Sequence, residues 1–178
     1  MTTTLQRPDF RLFLDQTESE KLRAVASAWD QARKSRTMPS FRALKPSTIA
    51  AQLPIIWIYA YDRATTHFTG RLAGDRIVLG FGKSFRGIAL KDVHTPEAFD
   101  LVHSVLTRVV DEPCCFRSGG RLFRQGDTIN AGERIILPLS DDGLHGDGVL
   151  GASDYQTLGT PTGPVDPIAD NVRWFGLG

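Results

Sequence analysis

The run IIWIYAYD at 55–62 is dense in β-branched and aromatic residues, and THFTGRLAG at 66–74 follows it after a short polar break. That pattern reads as an antiparallel hairpin. Three further strand candidates, CCFRSGGRLF, GERIILPLS and DGVLGASDY, fill the last third. Between the two groups, residues 74–90 carry glycines at 74, 80, 82 and 87, which predicts short helices and turns rather than one long element. Residues 96–110 then place Phe99, Val102, Leu106 and Val109 or Val110 at helical spacing, giving an amphipathic helix.

The front of the chain is helical. TESE at 17–20 has the form of a capping box, and Leu22, Val25, Trp29 and Ala32 fall on one stripe of a helix over about 18–35. Its basic end, Arg33, Lys34 and Arg36, suits the helix dipole and reads as a solvated helix end and linker. Pro46 starts a short helical segment through Gln52, which Pro54 stops. The tail from Thr160, with Pro161, Pro164 and Pro167, reads as extended or disordered until VRWFGL. The expected organisation is an N-terminal extension over 1–37, a domain over 38–157 and a Pro/Gly-rich tail over 158–178. The order of elements gives an α+β fold, a five-stranded antiparallel sheet with short helices gathered on one face and an amphipathic helix in front.

Charge and composition exclude several classes. Twenty-one basic residues against twenty acidic give a net charge of +1, so no global field favours nucleic acid or a membrane surface. No stretch has the length and apolarity of a membrane span, and MTTTLQRPDF lacks the apolar core of a signal peptide, so a cytoplasmic protein is expected. Cys114 and Cys115 are adjacent, point to opposite faces of a strand, and make a poor disulfide or metal pair. The four histidines are scattered, and Asp141, Asp142, His145 and Asp147 lie among glycines that mark a hairpin turn.

GFGKS at 80–84 suggests a phosphate-binding loop, but the motif needs a glycine five positions before Gly82, and Ile77 stands there. A β-branched residue disfavours the positive φ angles of such a loop, so the motif fails on geometry. No Ser, Cys or His has the ordered neighbours of an activated nucleophile, and no enzyme is expected.

The blocks PSFRALKPSTIAAQLPIIWIYAYD, FTGRLAGDRIVLGFGKSFRG and ERIILPLSDDG resemble single-domain PAS-type proteins of alphaproteobacteria over residues 38–155. The matching features are Leu53 and Pro54 before the first strand, RLAG at 71–74, the glycine at 80 or 82, and RIILPLSDDG at 134–143. The chain departs from that pattern at Ala43, Leu44 and Lys45, where the family carries acids before the proline equivalent to Pro46. The resemblance implies that Gly80, Gly82 and Gly87 are turn residues between short helices and that Lys83 and Ser84 face solvent.

It also implies a sensory or interaction module that binds a small ligand or a protein partner and signals by homodimerisation or partner contact. The alternative is a scaffold or dimerising adaptor without ligand. The front helix either makes the homodimer contact or packs on its own domain. Pocket candidates are Trp57 and Tyr59 on one strand face, with Phe68, Phe81, Phe99, Val102, Leu106 and Phe116 across from them; the same cluster reads equally as plain core. His103 lies where some haem-binding PAS proteins place a ligand, though the cofactor itself stays unknown. Arg71 either pairs with Asp75 or Glu133 or meets a ligand anion. Arg117 and Arg121 in RSGGR resemble the arginine pair of PilZ-type cyclic dinucleotide receptors, but Asp154 is followed by Tyr155 and Gln156 and the rest of that motif is missing. The local reading is two exposed arginines beside a Gly-Gly turn.

Overall fold

A computed structural model describes residues 8–157, 159, 160 and 162–178. The first seven residues, on which the expectation of no signal peptide partly rests, and Leu158 and Pro161 of the tail lie outside the described residues. The elements are helices α1 (Pro8–Gln16), α2 (Glu20–Arg33), α3 (Pro46–Ile49), α4 (Asp75–Phe81), α5 (Leu90–Val93) and α6 (Pro96–Asp111). The strands are β1 (Ile56–Asp62), β2 (His67–Ala73), β3 (Cys114–Gln125), β4 (Thr128–Leu139), β5 (Gly148–Thr157), β6 (Val165–Pro167) and β7 (Arg173–Gly176).

The five expected strands form an antiparallel sheet in the order β2-β1-β5-β4-β3. The tail is not extended or disordered throughout: β6 and β7 both pair with the outer edge of β3, at Phe123–Gln125 and Cys114–Arg117 respectively. An edge strand tolerates proline because one side of its backbone needs no ladder partner, which is how Pro167 is accommodated.

Strand periodicity sends alternate residues to opposite faces and builds two cores. Ile56, Ile58, Ile135 and Leu137 face α1, α2 and α3, whereas Tyr59, Phe116 and Ile136 face α4, α5 and α6. The short helices α4 and α5 gather on one face as expected, together with the longer α6, and the front helices cover the other with the short α3 beside them. The stripe Leu22, Val25 and Trp29 is fully buried on the chain's own sheet, with Trp29 Nε1 donating to Pro138 O at 2.8 Å. Truncating such a buried aromatic costs about 3–5 kcal/mol.

Local chemistry moves several boundaries. Thr17 does not cap α2: its hydroxyl donates back to Phe13 O at 2.8 Å and closes α1, a helix that the sequence reading misses. Ser19 is the cap, accepting from Leu22 N at 3.3 Å. Arg33 is no solvated helix end. It is buried, pairs with Asp30 at 2.6 Å and stacks on Phe10 and Trp29, while Arg36 reaches Ser140 O and Asp141 O. Pro54 sits inside a short 3-10 helix over Ala50–Ile55 instead of ending the helical segment before β1.

Candidate functional site

Between the inner face of the sheet and helices α4 and α6 lies a cavity of about 80 Å3. Its floor follows the strand registers. Ser118 of β3 pairs with Arg134 of β4, and Arg134 pairs with Ser153 of β5, so three polar side chains stand side by side across the sheet. Trp57 of β1 adds its indole N–H. Its ring lies so close to Gly151 that a Cβ there would sit 2.1 Å from the ring carbons. Trp57 Nε1 donates to Ser153 Oγ at 3.1 Å, and Arg134 Nε donates to the same oxygen at 3.0 Å.

The roof is apolar. Ile77 and Phe81 come down from α4, and Val102 and Leu106 from α6. Helix α4 is fixed to the sheet by a reciprocal pair, Arg76 to Tyr155 O at 2.6 Å and Tyr155 OH to Arg76 O at 2.9 Å. Gly80 belongs to this contact. It is not a turn residue but lies within α4, where a Cβ would meet Tyr155 OH at 2.4 Å. Gly82 and Gly87 do make turns, with φ of +73° and +77°. Lys83 and Ser84 are exposed, as expected.

One wall comes from the tail. Pro167, Ile168 and Ala169 line the cavity, and exposed Ala169 and Leu101 mark where it meets solvent. Three polar features inside stand out. Ser118 Oγ and His94 Nδ1 are buried without a hydrogen-bond partner. Arg134 faces no carboxylate among the described residues; burial lowers it to about 10, so it stays charged at neutral pH. His94 is pushed down to about 4 by burial and then by the positive charge of Arg134 and Lys83, which keeps it neutral.

Of the ten candidates, Trp57, Tyr59, Phe81, Val102, Leu106 and Phe116 line the cavity. The other four do not. Phe68 is buried against Tyr61, with ring centroids 4.4 Å apart, in a second cluster with His103 and Phe99. His103 Nε2 is engaged with Thr66 O at 2.9 Å and does not point into the cavity as an axial ligand would. Arg71 is exposed and lies over the Phe41 ring at 4.1 Å, so neither pairing expected for it is made. Strand alternation turns its side chain to the face opposite the cavity.

The RSGGR arginines are not an exposed pair beside a turn. Gly119 and Gly120 lie within β3, Arg117 is buried against Glu133 at 2.5 Å, and Arg121 pairs with Asp170 at 2.7 Å. Both guanidinium groups already hold carboxylates, which leaves no free fork for a phosphate.

Arg134, Ser118, Ser153, His94 and the tail wall escape the sequence reading. The signal that finds Arg134 is alternation in GERIILPLS, where Glu133 and Arg134 must face opposite sides and one of them faces inward. The acidic group at 141–147 makes the expected turn: Asp142 accepts the backbone N–H of Leu144 and His145. Cys114 and Cys115 are buried thiols in opposite cores, both with pKa raised by burial, and unreactive for that reason. Among the described residues no cluster of metal-ligating side chains occurs, and no helix is long and apolar enough to cross a membrane.

A family model described as PAS domain matches residues 17–153. No curated protein and no solved structure matches the chain.

Proposed function

The chain belongs to the PAS domain family, a family of sensory and signalling modules, and from that premise we propose that it is a non-enzymatic sensor whose signal is a small molecule in the cavity beneath α4 and α6. One observation carries this reading: an apolar chamber retains a charged guanidinium with no carboxylate partner among the described residues, together with a hydroxyl and an imidazole nitrogen that the chain itself leaves without a hydrogen bond. Buried polar groups left so are costly unless something else satisfies them, and a ligand is that partner.

Output runs through packing. Phe116 lines the cavity and holds Trp174 of β7 at 4.9 Å. The next residue, Phe175, crosses to the other face and meets Phe13 of α1 at 5.4 Å. A change of cavity volume reaches the N-terminal helices by two ring contacts, and from there a second copy of the chain or a protein partner. The apolar stripe of α2 is already buried, so such a contact uses the outer surface of these helices.

A melting-temperature screen of small metabolites against the wild-type chain and Val102→Trp, which fills the cavity, tests the reading. A compound at about 100 times its Kd adds about 2.7 kcal/mol of stability, a shift of about 5–10 °C for a chain of this size. The expected result is at least one compound that raises the wild type and not the filled variant. A screen in which nothing acts, or in which every active compound acts equally on both, overturns it.

A further inference from the structure

A guanidinium inside an apolar chamber needs a counter-charge, and the described residues supply none at Arg134. Its Nε is used by Ser153, and its half-buried guanidinium lines the cavity with no carboxylate beside it among the described residues. Glu133 and Asp154, the nearest acids in the strand pairing, hold Arg117, Ser19 and Lys21 on the opposite face. Across the register, Ser118 adds a buried hydroxyl with no partner of its own. We propose that the cavity binds a short-chain carboxylate, its two oxygens on the terminal nitrogens of Arg134 and the Ser118 hydroxyl and its apolar body between Val102, Leu106 and Ile136. A planar fork of donors fits a carboxylate in two-point geometry.

Size narrows the class. A dry cavity of about 150 Å3 accepts benzene, and this one measures about 80 Å3. The ligand body is therefore closer to three or four carbons than to an aromatic ring. Neutral His94 adds no charge, so affinity stays level across the neutral pH range, where Arg134 is charged and the ligand ionised.

This inference rests on the reading of the cavity as the sensory pocket. Its test compares isovalerate with its neutral isostere isovaleramide, titrated into the isotope-labelled full chain and followed by amide chemical shifts, in the wild type and in Arg134→Met and Arg134→Lys. Isovalerate is expected to bind at least about tenfold tighter than the amide. That preference disappears in Arg134→Met and survives in part in Arg134→Lys, while amide binding changes little. Equal affinities in the wild type, or loss of both ligands in a variant that still melts cooperatively, overturn anion selection but leave the cavity a ligand pocket. If neither compound shifts the amides of cavity residues, the carboxylate assignment is wrong, and the metabolite screen decides the sensory reading separately.

Discussion

Glu133 and Arg134 are neighbours in β4 with opposite fates: Glu133 faces the N-terminal helices with its charge fully engaged, and Arg134 faces the cavity with its charge unanswered. The Glu133 carboxylate accepts from Arg117 Nε at 2.5 Å, from Ser19 N at 2.7 Å and from Glu18 N at 3.0 Å. It thereby ties two strands to the start of α2. One strand thus carries a structural charge and a free one a residue apart.

Glu133 is 6 % exposed and Arg117 7 %, so removing the carboxylate leaves a buried cation with only the exposed Glu18 as partner, and takes the acceptor from the backbone N–H groups of Glu18 and Ser19. Glu133→Ala is expected to cost about 3–5 kcal/mol in urea unfolding. The double variant Glu133→Leu with Arg117→Met recovers part of that loss, because an apolar pair needs no counter-charge while the N–H groups of Glu18 and Ser19 still lack their acceptor. A single-variant loss below about 1 kcal/mol would show that the pair behaves as a surface contact.

Arg134→Met behaves in the opposite sense. It removes a half-buried charge that has no carboxylate partner among the described residues, so the folded chain is expected to be at least about as stable as the wild type without ligand. The His94 pKa rises from about 4 as the Arg134 charge is removed, although burial, its larger cause, still holds it below the ordinary value. Thermal melting and histidine ring resonances followed against pH measure both; destabilisation with an unmoved His94 would contradict the account.

His94 also sets a pH window. Folded, it takes up its proton only near pH 4, held there first by burial and then by Arg134 and Lys83; unfolded, it does so near the ordinary 6.5. Between those values the unfolded state binds more protons, so stability falls as the pH drops through the window, by about 3 kcal/mol at its lower end. His94→Leu is expected to flatten that part of the stability profile. An unchanged slope in the variant assigns the acid sensitivity to other groups.

The tail is part of the core. Phe175 is 6 % exposed and packs edge-on against Phe13, and Leu177 is fully buried. Phe175→Ala is expected to cost about 3–5 kcal/mol and to speed hydrogen exchange in α1. Amide exchange read by mass spectrometry checks this, and a variant with unaltered protection of α1 would sever the link between tail and N-terminal helices.

How much of this was legible follows from which signals are local. Strands β1 and β4 carry β-branched runs, β2 alternates over its first residues, and α6 shows its stripe, so the α+β order reads largely from the residues. Helix α1 does not, because PDFRLFLDQ is too short to be stable alone and exists through Phe10 and Phe13 packing on Trp29 and Phe175. Strands β6 and β7 depend on pairing with β3 some forty to sixty residues away, which composition does not report. In the site, Trp57, Tyr59, Phe81 and Phe116 follow from aromatic patterning. Arg134 does not, because its meaning lies in the missing acid, and that needs the registers of β3 and β5 as well as its own.

The most direct test of the account is an isotope-filtered NOE spectrum of the carbon-labelled full chain with isovalerate. The account predicts cross-peaks from the ligand methyls to Val102, Leu106 and Ile136 of the cavity lining. Cross-peaks only to exposed leucines such as Leu79 and Leu144, or none at all, would contradict it.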